Sequence, residues 1–99
     1  MSRDFAGRTV LVTGGTRGIG LAIVEELLDR GANAVVTARK ADELQAVLDR
    51  LGAERVAVAR GSADDEAHQA AAVALAVERF GRLDLLVANA AVNPQYGGP

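Results

Sequence analysis

Thr13-Gly14-Gly15-Thr16-Arg17-Gly18-Ile19-Gly20 is the stretch of the chain richest in potential chemistry. It follows a short β-branched run, Thr9 to Thr13, and opens a segment with apolar residues at helical spacing: Ile19, Ala22, Ile23, Leu27 and Leu28. Without a Cβ, Gly14 can turn the chain sharply. Gly18 lets backbone approach a bound group with no side chain between, and Gly20 lets the helix pack closely on the strand. The first N–H groups of a helix have no partner inside it, so a turn of this kind offers them to a diphosphate. The plainer alternative is a structural strand-to-helix turn that binds nothing. A strand before and a helix after favour dinucleotide binding. No Gly-Lys-Ser or Gly-Lys-Thr follows, which argues against a triphosphate cradle.

A second cue stands at the end of the next apolar run, Asn33 to Ala38. An acid there would accept the adenosine ribose hydroxyls of NAD. The sequence instead reads Ala38-Arg39-Lys40. Arg39 can fork onto a 2′-phosphate, Arg17 can reach the same group from the glycine turn, and Lys40 adds a less directional charge. NADP is therefore expected over NAD. The competing description is a solvated cationic loop that opens the second helix.

These residues need elements to hold them. After Ile19 to Arg30 (closed by Gly31) and Asn33 to Ala38, a second helix is expected over Asp42 to Leu51, ending at Gly52. A third strand follows over Arg55 to Arg60, then an Ala-rich helix over Asp64 to Phe80, closed by Gly81, and a fourth strand over Leu83 to Ala88. Residues 89–99 read as a terminal loop. Strands alternating with helices call for a parallel sheet with helices on both faces and right-handed crossovers. The expectation is an α/β, Rossmann-like three-layer sandwich of about four strands in the order 3-2-1-4, with residues 1–99 forming a single partial dinucleotide-binding domain.

Composition supports this and removes other classes. The chain has 99 residues, 49% hydrophobic and 24% charged, which suits a soluble folded domain. Aromatics are 3%, so the core must come from Val, Leu, Ile and Ala. With no cysteine, disulfides, thiolate metal sites and cysteine nucleophiles are out. A net charge of −2 argues against a general nucleic-acid surface, and no apolar run is long enough for a membrane span. A cytoplasmic location is the default.

Taken as a set, these features resemble the N-terminal part of a short-chain dehydrogenase/reductase. The family's Thr-Gly-x-x-x-Gly-x-Gly turn is matched at Thr13, Gly14, Gly18 and Gly20. Gly81-Arg82-Leu83-Asp84-Leu85-Leu86-Val87 is similar to the family's entry into its fourth strand. The resemblance implies cofactor contacts from Gly14, Thr16, Arg17, Gly18, Ile19, Gly20, Arg39, Lys40, Ser62, Asn89 and Ala90, with Ile19 on the nicotinamide side. The sequence departs from the family's Asn-Asn-Ala-Gly at Ala88 and Ala91. It also places Ser62 near where many members hold adenine with Asp. Asp64 and Asp65 are expected to serve the start of the third helix instead.

The resemblance further implies hydride transfer between NADPH and a carbonyl or alcohol in the complete protein. It also implies a Tyr followed four residues later by a Lys, which these 99 residues do not contain. The only tyrosine, Tyr96, stands just after the fourth strand and reads as a loop anchor. His68, the only histidine, reads as an exposed helical residue with no metal role. No metal site and no catalytic residue are expected, and the chain alone should be inactive. The apolar fourth strand should form an exposed edge, inviting self-association or a complementary C-terminal segment. The alternatives are a non-catalytic nucleotide-binding or self-association module, a truncated or engineered piece, or an α/β fragment that binds nothing.

Overall fold

The computed structural model describes residues 4–16, 18–62 and 64–88. Seven elements follow in order: β1 (Thr9–Thr13), α1 (Gly18–Asp29), β2 (Asn33–Ala38), α2 (Ala41–Leu51), β3 (Val56–Arg60), α3 (Glu66–Phe80) and β4 (Leu85–Ala88). The strands form one parallel sheet in the order β3-β2-β1-β4. This is the expected α/β sandwich, incomplete relative to a full doubly wound sheet.

Alternation along the strands builds the layers. Val10 and Val12 point to one face and join Val24 and Leu27 of α1, Val36 of β2, and Leu44 and Val47 of α2. Leu11, Val35 and Ala57 point to the other, against Ala72 and Ala76 of α3. The two alanines let α3 approach the sheet closely, where larger residues would hold it away. Each fully buried valine or leucine contributes roughly 1.5–3 kcal/mol. The face carrying α1 and α2 therefore supplies most of the apolar stabilisation.

The helix ends follow local chemistry. Asp65 caps α3, its Oδ1 accepting from Ala67 N at 2.9 Å and His68 N at 3.4 Å. Gly81, left-handed at φ 83°, closes α3 by donating its N–H to Val77 O. Helix α3 starts two residues later than the sequence suggests, because Asp64 and Asp65 lie outside its first turn. Among the described residues, no helix is long and apolar enough to cross a membrane.

Strand β4 also starts later than expected, at Leu85. Asp84 brackets the start of β1 instead: Thr9 N donates to Asp84 Oδ2 at 2.8 Å, and Asp84 N donates to Thr9 O at 2.9 Å. Arg82 grips the same carboxylate at 2.7 Å, with Arg8 at 3.8 Å. The Arg82 hydrogen bonds, then the Thr9 N–H, then the charges of Arg82 and Arg8 hold the Asp84 carboxyl below the usual range. The unfolded chain then binds the proton more readily, so stability rises with pH. This contribution is complete above the ordinary aspartate pKa of about 3.9. It is lost as the pH falls through the lower folded value. Asp84→Asn is expected to lower Tm at neutral pH and to flatten the acid limb of a Tm-against-pH series. An unchanged acid limb would count against the bracket.

Candidate functional site

The glycine turn leaves the C-terminal end of β1, the strand on which the chain's direction across the sheet reverses. In open parallel sheets that crevice is where ligands bind. Gly14 N donates to Thr37 O at 2.8 Å, continuing the β1–β2 ladder by one step before the chain turns. Gly14 and Gly18 have φ of 68° and 62°, the left-handed region that favours glycine. Apart from its chain neighbours and its own helix backbone, a Cβ on Gly18 would meet nothing within 4 Å, so the position adjoins open space. Gly20 is buried within α1, while Ile19 is 74% exposed. The first turn of α1 carries no acid, which leaves its positive end unneutralised from within.

Two features of the turn are not legible as a motif. Gly15, the glycine outside the matched pattern, is the tightly packed one. A Cβ there would lie 3.0 Å from Val24, 3.1 Å from Val36 and 3.2 Å from Val12. The Thr16 hydroxyl donates to Glu43 Oε1 at 3.0 Å and ties the turn to the first turn of α2. Thr16 is thus held by Glu43, whose part could be seen only once α2 was placed beside the turn.

At the ends of β2 and β3, Arg39 and Lys40 are exposed, as their loop position suggests. Arg39, Arg60, Gly61 and Ser62 line an open cleft of about 360 Å³. The Ser62 hydroxyl is hydrogen-bonded to Asp64. That bond, the Asp64 backbone N–H and then the charge of Arg39 lower the Asp64 carboxyl from its ordinary value. Ser62 therefore reaches the cleft with its hydroxyl already engaged.

His68 corrects an expectation. It is half-buried, with its ring lying against Gly61 and Nε2 covered and without a hydrogen-bond partner. A Cβ at Gly61 would collide with the imidazole. Glycine at the end of β3 thus admits the ring from the neighbouring helix. Among the described residues no group of three or more His, Cys, Asp or Glu is placed to hold a metal.

The structure brings Gly14, Thr16, Gly18, Ile19 and Gly20 to one end of the sheet, with Arg39, Lys40 and Ser62 along the same edge. Arg17, Asn89, Ala90, Ala91 and Tyr96 lie outside the described residues. Ala88 is exposed as the last residue of β4, in register with Thr13.

A parallel sheet with a left-handed glycine turn at the switch strand defines a dinucleotide-binding module of the Rossmann class. The comparisons agree: residues 8–97 match the family model for short chain dehydrogenase, and the chain belongs to that family. It is 38% identical over 98 residues to "Dehydrogenase/reductase SDR family member 4" of Caenorhabditis elegans, covering 96% of this chain and 38% of that protein. It is 42% identical over 94 residues to "11-beta-hydroxysteroid dehydrogenase-like 4A" of Arabidopsis thaliana, covering 92% of this chain and 31% of that one. Among solved structures, L-sorbose reductase from Gluconobacter frateurii, complexed with NADPH and L-sorbose, superposes with a TM-score of 0.79 at 31% identity. It covers 93% of this chain and 36% of that one. The chain thus spans about a third of these relatives' length. The fold and family support binding of a dinucleotide of the NAD(P) type.

Proposed function

We propose that the chain is the NADP(H)-binding portion of a short-chain oxidoreductase whose complete form transfers hydride between NADPH and a carbonyl or alcohol. The observation that carries the cofactor choice is the end of β2. Arg39 follows Ala38 with no acid at the strand end, and it lines the cleft beside β3. A carboxylate there would repel a 2′-phosphate, whereas a guanidinium forks onto it. The NADPH-bound L-sorbose reductase is a relative consistent with this reading.

In the proposed site the glycine turn and the α1 N-terminus receive the pyrophosphate, Thr16 and Ile19 flank it, and Arg39 with Lys40 receives the ribose phosphate. Ser62 borders the adenine end. Arg17, Asn89 and Ala90 are the further proposed contacts. The hydride belongs to the cofactor and the protein positions it. The Tyr and Lys that would manage the proton are not among these 99 residues, so the chain is proposed to bind without turnover. Its proposed setting is the cytoplasm. A second reading, a self-associating module, is favoured by the exposed Leu85 and Leu86 of β4.

Calorimetric titration of the chain with NADPH and NADH tests the first reading. NADPH is expected to bind about tenfold tighter or more, the usual scale of a charge-assisted pair. Arg39→Ala is expected to remove most of that preference while leaving NADH affinity nearly unchanged. Tighter NADH binding, or no binding of either at millimolar concentration, would overturn the assignment.

A further inference from the structure

The register of the sheet places Arg60 opposite Ala38, one residue before Arg39. Gly61 N donates to Ala38 O at 2.9 Å and carries the ladder past the end of β3. Arg60 Nε donates to Arg39 O at 3.1 Å, which folds the Arg60 side chain across the end of β2. Two guanidinium side chains therefore border one open cleft of about 360 Å³.

The other described arginines have partners. Arg8 and Arg82 meet Asp84, Arg30 meets Asp4 and Glu26, and Arg50 meets Glu25. Arg55 and Arg79 donate to main-chain carbonyls. No ion pair among the described residues joins Arg39 or Arg60 to a carboxylate. Asp64, the acid that feels the charge of Arg39, is hydrogen-bonded to Ser62. Two like charges held at one cleft, one of them fixed by its own backbone contact, are arranged for an anion from outside.

We propose that Arg60 is a second phosphate-binding cation of this cleft, gripping with Arg39 the phosphomonoester on the adenosine ribose of NADP(H). The inference rests on the NADP reading above. A phosphomonoester carries about −1.5 to −2 charge at neutral pH, which one guanidinium leaves partly unanswered. With Nε engaged by Arg39 O, the terminal nitrogens of Arg60 remain to donate to phosphate oxygens. Neither the glycine turn nor the residue after β2 identifies Arg60 in the sequence. It enters through the alignment of β3 against β2.

The test is calorimetric titration of the full chain with NADPH and with NADH, comparing wild type, Arg60→Met and Arg60→Lys. Met keeps the aliphatic stem and removes the charge; Lys keeps the charge and removes the fork. Arg60→Met is expected to weaken NADPH about tenfold or more and to leave NADH within about twofold. Arg60→Lys should lose less, again for NADPH alone, and it carries the comparison if the Met variant fails to fold. If wild type prefers NADPH and both variants keep that preference intact, Arg60 has no such role and the NADP reading stands. Equal losses for both nucleotides show a purely structural role and also overturn the proposal. If wild type shows no preference, the NADP reading fails and the role of Arg60 fails with it.

Discussion

Gly15→Ala is expected to destabilise the chain by about 1–3 kcal/mol, the usual range for overpacking a well-filled core, and Gly15→Val to leave it unfolded. The three side chains a new methyl would meet, at 3.0–3.2 Å, belong to Val12 of β1, Val24 of α1 and Val36 of β2. All three are fully buried. A buried valine is stiff at χ1 and has little room to turn aside. The neighbours must therefore give by a few tenths of an ångström, and the element freest to give is α1, since β1 and β2 are tied by their ladder. For a domain of this size each kcal/mol lowers Tm by roughly 4–8 °C, so thermal melts followed by circular dichroism will resolve the effect. Removing the Val24 γ-methyls relieves the nearest contact, so Gly15→Ala with Val24→Ala should be more stable than the summed single effects by about 0.5 kcal/mol or more. A wild-type Tm in Gly15→Ala would show that the turn has slack. The turn and α1 shift together, so dinucleotide affinity should fall in Gly15→Ala and recover with Val24→Ala.

Gly15 also marks the limit of what the sequence discloses. Strands β1 and β2 are legible to the residue, because β-branched runs bounded by glycine or a charge have one reading. The helices are legible from apolar spacing and from Gly31, Gly52 and Gly81. The sheet order is the one expected of a doubly wound sheet, and the structure has it. The remainder depends on pairs distant in sequence. Gly15 is distinguished from Gly14 by Val24 and Val36, Thr16 is engaged by Glu43, and His68 finds its place over Gly61. Asp84 resembles the first charged residue of a strand until Thr9 is set beside it. In each case the residue type admits several roles, and the neighbour selects one. The glycine turn is local and therefore readable, while the cleft between β2 and β3 is assembled by register.

The wild-type chain is expected to self-associate in solution through β4, and Leu86→Lys to return it to a monomer. Strand β4 hydrogen-bonds β1 along one edge, and among the described residues no strand pairs with the other. Its residues are Leu85-Leu86-Val87-Ala88, with no charge or proline to discourage pairing. Leu85 is 46% and Leu86 61% exposed. Register fixes their directions: Leu85 pairs with Val10 on the face of α1 and α2, and Leu86 with Leu11 on the face of α3. A second copy related by a two-fold axis would set β4 antiparallel to its mate and make one continuous sheet across both copies. That arrangement brings leucines together on both faces at once, which a contact between helices alone would not do. Exposed Val73 and Val77 on α3 lengthen the apolar surface on the Leu86 side. Because Leu86 is largely exposed in the single chain, lysine there should cost the monomer little, while the pair would have to bury its charge. Light scattering coupled to size exclusion across a concentration series measures the mass directly. A wild-type chain that stays monomeric at high concentration, or an Leu86→Lys chain that associates as readily as wild type, would exclude β4 as the contact.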